Sequence, residues 1–130
     1  MKFTSSNILL PVALTAVAVT ADTLTVNTFS DVVCGGAIQS FKLGKLDECH
    51  QMTTPFRSFT TSDVAQSFFG KGVRVKTWST NNCEGSSITV QNTFALSNAG
   101  GNCHVPFADV NDGQPNPFKV WSFQVGVYPA

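Results

Sequence analysis

Charge is scarce in this 130-residue sequence: eight lysines and arginines face eight aspartates and glutamates, together 12% of the chain. So neutral a protein carries no electrostatic footprint for nucleic acid or an anionic membrane, and neither is expected as a partner. Beyond Val19 no apolar stretch is long enough to span a bilayer, so no transmembrane segment is expected. Reactive chemistry is equally thin. There is no Gly-x-Ser-x-Gly nucleophile elbow, no glycine-rich phosphate loop and no carboxylate pair in an informative context. No Asn-x-Ser/Thr sequon occurs, so N-glycosylation is not expected.

What the chain does contain begins with a leader. Lys2 precedes an apolar run, Ile8–Val19, that ends in the small-residue stretch Val19-Thr20-Ala21. This order describes a signal peptide, residues 1–21, cleaved after Ala21. Residues 22–130 then form a single secreted, extracellular β domain. All four cysteines, Cys34, Cys49, Cys83 and Cys103, lie in it. An even count in a small secreted domain reads as two disulfides rather than a metal site or a catalytic thiol. Ser, Thr, Asn and Gln supply a polar surface, and a run of phenylalanines from Phe29 to Phe123 supplies the interior.

The sequence also says one thing twice. Val26–Gly36, VNTFSDVVCGG, returns 49 residues later as Val75–Gly85, VKTWSTNNCEG, with Val, Thr, Ser, Cys and Gly in the same places and Trp78 for Phe29. Upstream, Leu24-x-Val26-x-Thr28 matches Val73-x-Val75-x-Thr77, a period-two pattern typical of a half-buried strand. The segments after Gly36 and after Gly85 read as second strands, with SDVVCGG and STNNCEG as the turns. Each copy then reaches Cys-His, at Cys49-His50 and Cys103-His104, and later a closing strand around PFRSF (Pro55–Phe59) or PFKVWSF (Pro117–Phe123). The expectation is an all-β sandwich built by duplication: copy one about 22–61, a connector about 62–71 with one or two helical turns at Ser62–Phe69, and copy two about 72–130. A duplicated unit predicts a bridge within each copy, Cys34–Cys49 and Cys83–Cys103. Four cysteines permit three pairings, and the symmetric cross-copy pairings stay open.

An aromatic, six residues, then Gly-x-Ser resembles the hairpin signature of the βγ-crystallin Greek-key motif. Trp78, Gly85 and Ser87 match it in full; Phe29 and Gly36 match it up to the last place, where Ile38 replaces serine. The resemblance implies two Greek-key motifs per domain, with glycines at positive φ in the hairpin tips and Phe29 and Trp78 buried beneath them. A hairpin-tying role is implied for the serine hydroxyl, and the disulfide stands in where Ile38 has none. In style the chain also resembles small secreted cysteine-containing fungal proteins, and microbial relatives of the crystallins include killer toxins. Calcium binding is the family's other property. Asn111 and Asp112 begin the required motif, but Pro115 takes the place of a serine oxygen, so a turn is preferred to a calcium site and no cofactor is expected.

Asp47-Glu48-Cys49-His50 is the cluster that most invites catalysis, but a disulfide at Cys49 removes its thiol, and copy two has no matching carboxylate. His50 and His104 stand at matched positions and are expected to serve structural hydrogen bonds. Lys71, Arg74 and Lys76 form a basic strip on an exposed strand face. Phe68 and Phe69 are the candidate surface patch. The expected function is that of a non-enzymatic binding or structural protein acting through its surface on an extracellular ligand (a protein, a polysaccharide or a cell surface). The alternatives are a killer-toxin-like antimicrobial or host-directed effector and, less favoured, a hydrolase.

Overall fold

The computed structural model describes residues 22–90, 102–107 and 119–129. The two period-two segments form strands β1 (Leu24–Phe29) and β5 (Val73–Trp78). Each turns through its Ser/Asn/Gly-rich tip into an antiparallel partner, β2 (Ala37–Leu43) or β6 (Ser87–Val90). In both first strands, Leu24/Val26/Thr28 and Val73/Val75/Thr77 are buried while the alternate residues face outward. Gly36 and Gly85 have φ of +71° and +90° as expected.

Among the described residues, three further strands join these in two antiparallel sheets: β3 (His50–Phe56), β4 (Ser58–Ser62) and β7 (Val120–Val127). The first sheet has the order β2-β1-β4 and the second β3-β7-β5-β6. β3 therefore leaves the sheet of its sequence neighbours and borders the other one, and the chain switches sheets at Arg57, whose N–H donates to the Phe29 carbonyl at 2.9 Å. PFRSF is accordingly not one closing strand. Pro55-Phe56 ends β3, while Ser58-Phe59 opens β4. Pro55 lacks a donor for a sheet ladder, which suits an edge strand, and the β3–β7 register breaks between Gln51 and Phe56.

The sheets pack face to face over Leu24, Val26, Phe56, Phe59, Val75 and Phe123, each with no exposed surface. The phenylalanines meet edge to face: Phe41 and Phe56 lie 5.1 and 5.9 Å from Phe123, and Phe56 lies 6.2 Å from Phe59. Burying each ring contributes about 2–3 kcal/mol, and each such pair roughly 1 kcal/mol more. The connector makes a single 3-10 turn, Gln66–Phe68. Its N-cap residue is Ala65, with no side-chain cap, and Asp63 stands at φ +50°, so nothing nucleates a longer helix. Among the described residues no helix is long and apolar enough to cross a membrane. The leader, the loop inserted in copy two and the Asn111-Asp112 turn lie outside the described residues.

Candidate functional site

The two hairpin tips are held in the same way. At the first, Cys34 adopts φ +57° and its N–H donates to Ser58 Oγ at 3.1 Å, while that hydroxyl donates to the Asp31 carbonyl at 2.6 Å. At the second, Cys83 adopts φ +55°, its N–H donates to Ser122 Oγ at 2.9 Å, and Ser122 donates to the Thr80 carbonyl at 2.6 Å. The tying hydroxyl thus comes from the closing strand, β4 or β7, and not from Ser87, whose backbone only pairs with Trp78. The absence of a hydroxyl at Ile38 consequently costs the first hairpin nothing. Both serines are fully buried. The signal for them was present as the matched Ser-Phe dipeptides of PFRSF and PFKVWSF.

The disulfides correct the expected pairing. They join Cys34 to Cys103 and Cys49 to Cys83, so each hairpin-tip cysteine bonds the Cys-His cysteine of the other half. The reason is the same sheet exchange that carries β3 away from its own hairpin: the Cys-His segment runs beside the opposite closing strand. His50 is register partner to Phe123, and His104 bridges Phe59 through two 2.9 Å backbone hydrogen bonds. Each imidazole stacks on that phenylalanine, at 5.0 Å in both cases. The two histidines thus belong to different sheets. Burial lowers the pKa of both, with Glu48 partly opposing the effect at His50.

Asp47-Glu48-Cys49 is a loop beside a bridge, and His50 opens β3. Cys49 has no thiol, and Asp47 is fixed by its N–H bond to the Val125 carbonyl at 2.8 Å. No group of three or more His, Cys, Asp and Glu placed to hold a metal ion occurs among the described residues. Phe68 and Phe69 are partly buried against the core rather than projecting as a patch. The exposed apolar residues include Val32 and Val33 in the first tip, where the second has Asn81 and Asn82, together with Trp121 and Val127.

The outer sheet faces differ, and here the halves part company. On the second sheet Arg74, Lys76 and Trp78 point outward. Lys76 Nζ lies 5.5 Å from the Trp78 ring and 5.1 Å from the Tyr128 ring, and Arg74 Nη1 donates to the Tyr128 carbonyl. Trp78 is only 6% exposed beneath this cover. Burial pushes the Tyr128 pKa up, with Asp47 adding to it. On the first sheet the same positions are Thr25, Asn27 and Phe29. Phe29 is half-buried rather than buried like Trp78, and the position matching Lys76 is the shorter, uncharged Asn27. It borders an open hollow of about 380 Å³, lined also by Asn27, Ile38, Gln39, Ser40 and Thr60. Ser40, Asn27 and Thr60 form one outward row across β2, β1 and β4. Ser40 Oγ donates to Asn27 Oδ1 at 2.7 Å, and Asn27 Nδ2 donates to Thr60 Oγ1 at 3.2 Å and Ser62 Oγ at 3.0 Å. Sequence reasoning missed this row because its members are ordinary polar residues brought level only by strand register.

No protein-family model matches the sequence, and neither a curated protein nor a solved structure is significantly similar to it.

Proposed function

We propose that the chain is a secreted, non-enzymatic binding protein on a double Greek-key scaffold of βγ-crystallin type, acting through its surface. The observation that carries this reading is where the reactive side chains go. The described cysteines and histidines, the groups most suited to catalysis or metal binding, are taken up in two disulfides and two stacked pairs that tie one half to the other. The strand arrangement supports the scaffold: in each half a first strand lies between its hairpin partner and its closing strand, and β3 is contributed to the opposite sheet. With these groups tied up in bridges and stacked pairs, the sheet faces and loop tips are left as the working surface.

The second reading is a killer-toxin-like or host-directed effector on the same scaffold. The exposed pair Val32-Val33, in a tip made rigid by Asp31 and the Cys34–Cys103 bridge, favours it. Applying the purified secreted protein in parallel to microbial cultures, host tissue and polysaccharides separates the possibilities. Retention on a ligand without product release supports the binding reading. Growth arrest or cell death supports the effector. Soluble product released from a polysaccharide overturns the non-enzymatic reading.

A further inference from the structure

From the hollow on the outer face of the first sheet we infer a binding site for a neutral oligosaccharide; the inference rests on the reading of the protein as a binding module. Among the described residues no side chain lining the hollow is ionisable, so a charged ligand seated in it would face no charged wall; Lys42, the next outward residue of β2 beyond Ser40, lies outside the lining. What the hollow does offer is a fixed array of neutral hydrogen-bonding groups. The Asn27 amide is locked, with both N–H groups committed to Thr60 and Ser62 and its oxygen accepting from Ser40. The Ser40 hydroxyl has spent its proton and presents lone pairs, whereas Thr60 Oγ1 accepts from Asn27 and retains its own proton to donate. The acceptor and the donor lie on either side of one amide, on strands about 10 Å apart, a spacing that suits hydroxyls at separate places along an oligosaccharide, each of which both donates and accepts. Phe29, half-buried, supplies the apolar surface that the C–H face of a pyranose requires.

Preorganisation is the second argument. The row is tied by hydrogen bonds within the sheet itself, so little side-chain freedom is lost when a ligand arrives. The hollow falls within the usual size range of small-ligand pockets, and being open on one side it admits a chain as well as a single sugar. The second sheet is the internal control. Its equivalent row is Thr89-Lys76-Gln124, and there Lys76 covers the tryptophan itself. Two faces of similar strand geometry therefore differ in that on one Lys76 lies over the tryptophan, while on the other the hollow beside Phe29 stays open.

The test is an amide-resolved NMR titration of the folded protein with laminarihexaose, cellohexaose, chitohexaose and mannohexaose, with oligogalacturonate as the charged comparison. At least one neutral sugar is expected to move saturably the signals of Asn27, Phe29, Gln39, Ser40 and Thr60. Ser40→Ala is expected to weaken binding about fivefold to tenfold. Thr89→Ala on the second sheet should leave it unchanged. Asn27→Ala is the stronger probe, and because it also disturbs the sheet, its spectrum must first match the parent's fold. Lack of response to every neutral sugar, response to oligogalacturonate alone, or shifts confined to the Lys76–Trp78 face would overturn the inference. If the protein is nevertheless retained on cells or polysaccharide through another face, the binding reading survives without this site. Release of soluble product from the sugars would sink both.

Discussion

At the scale of single residues, two buried serines and two glycines carry costs that their exposed neighbours do not. Ser58→Ala and Ser122→Ala each strand a cysteine N–H and a tip carbonyl inside the protein, at about 1–3 kcal/mol per site. Ser87→Ala should change the urea midpoint little, although Ser87 is the serine of the sequence signature. Gly36 and Gly85 both require positive φ, but a Cβ at Gly36 would also collide with Ser30 Oγ, while that at Gly85 meets open space. Gly85→Ala is expected to cost about 1–2 kcal/mol from backbone strain. Gly36→Ala should cost more, and the excess should shrink in a Ser30→Ala background, measured as a double-mutant cycle. Trp78→Ala is expected to cost about 3–5 kcal/mol in thermal or urea unfolding, since the ring is covered; Phe29→Ala, half-open, should cost clearly less.

At the scale of elements, the Cys-His segments staple one sequence half to the other within each sheet, and their histidines make that stapling sensitive to pH. Burial favours neutral imidazole at His50 and His104, so the unfolded chain binds protons more readily than the folded one. The associated stability is fully present above the ordinary histidine pKa, near 6.5, and is lost as pH falls from there through the lowered folded values. Urea midpoints should therefore drop between neutral and mildly acidic pH, and levelling off should follow once both rings are charged. His104→Phe keeps the stacking on Phe59 without the titration and should remove its share of the drop. An unchanged slope in that variant would assign the acid sensitivity to other groups.

At the scale of the whole molecule, the halves are interlocked rather than merely adjacent. The Cys34–Cys103 and Cys49–Cys83 bridges have sequence separations of 69 and 34 residues, each worth about 4 kcal/mol in the chain-entropy model. Neither bridge can form within one half. A fragment ending at residue 71 retains Cys34 and Cys49 without their partners and β3 without β7. It is expected to be unfolded by circular dichroism and amide dispersion, whereas two independent domains would each fold alone. Peptide mapping of the whole protein without reduction should recover Cys34 linked to Cys103 and Cys49 linked to Cys83.

The sequence by itself determined the local structure: the period-two strands β1 and β5, their hairpin partners, the positive-φ glycines and the presence of two disulfides. These follow from side-chain alternation, from glycine's freedom at positive φ and from cysteine parity, all readable within a dozen residues. Only the tertiary structure decided who meets whom. β3 carries no alternation to betray it and contains Pro55, so its place at the edge of the far sheet was not legible, and the cysteine pairing followed that displacement. The hydroxyls that tie the tips come from strands 24 residues away in one half and 39 in the other. The row Ser40-Asn27-Thr60 exists only because strand register sets three unremarkable residues side by side. Short-range pattern records which face of a strand is buried; which strand lies beside it depends on closing long loops over a shared core, and no local run of residues encodes that choice.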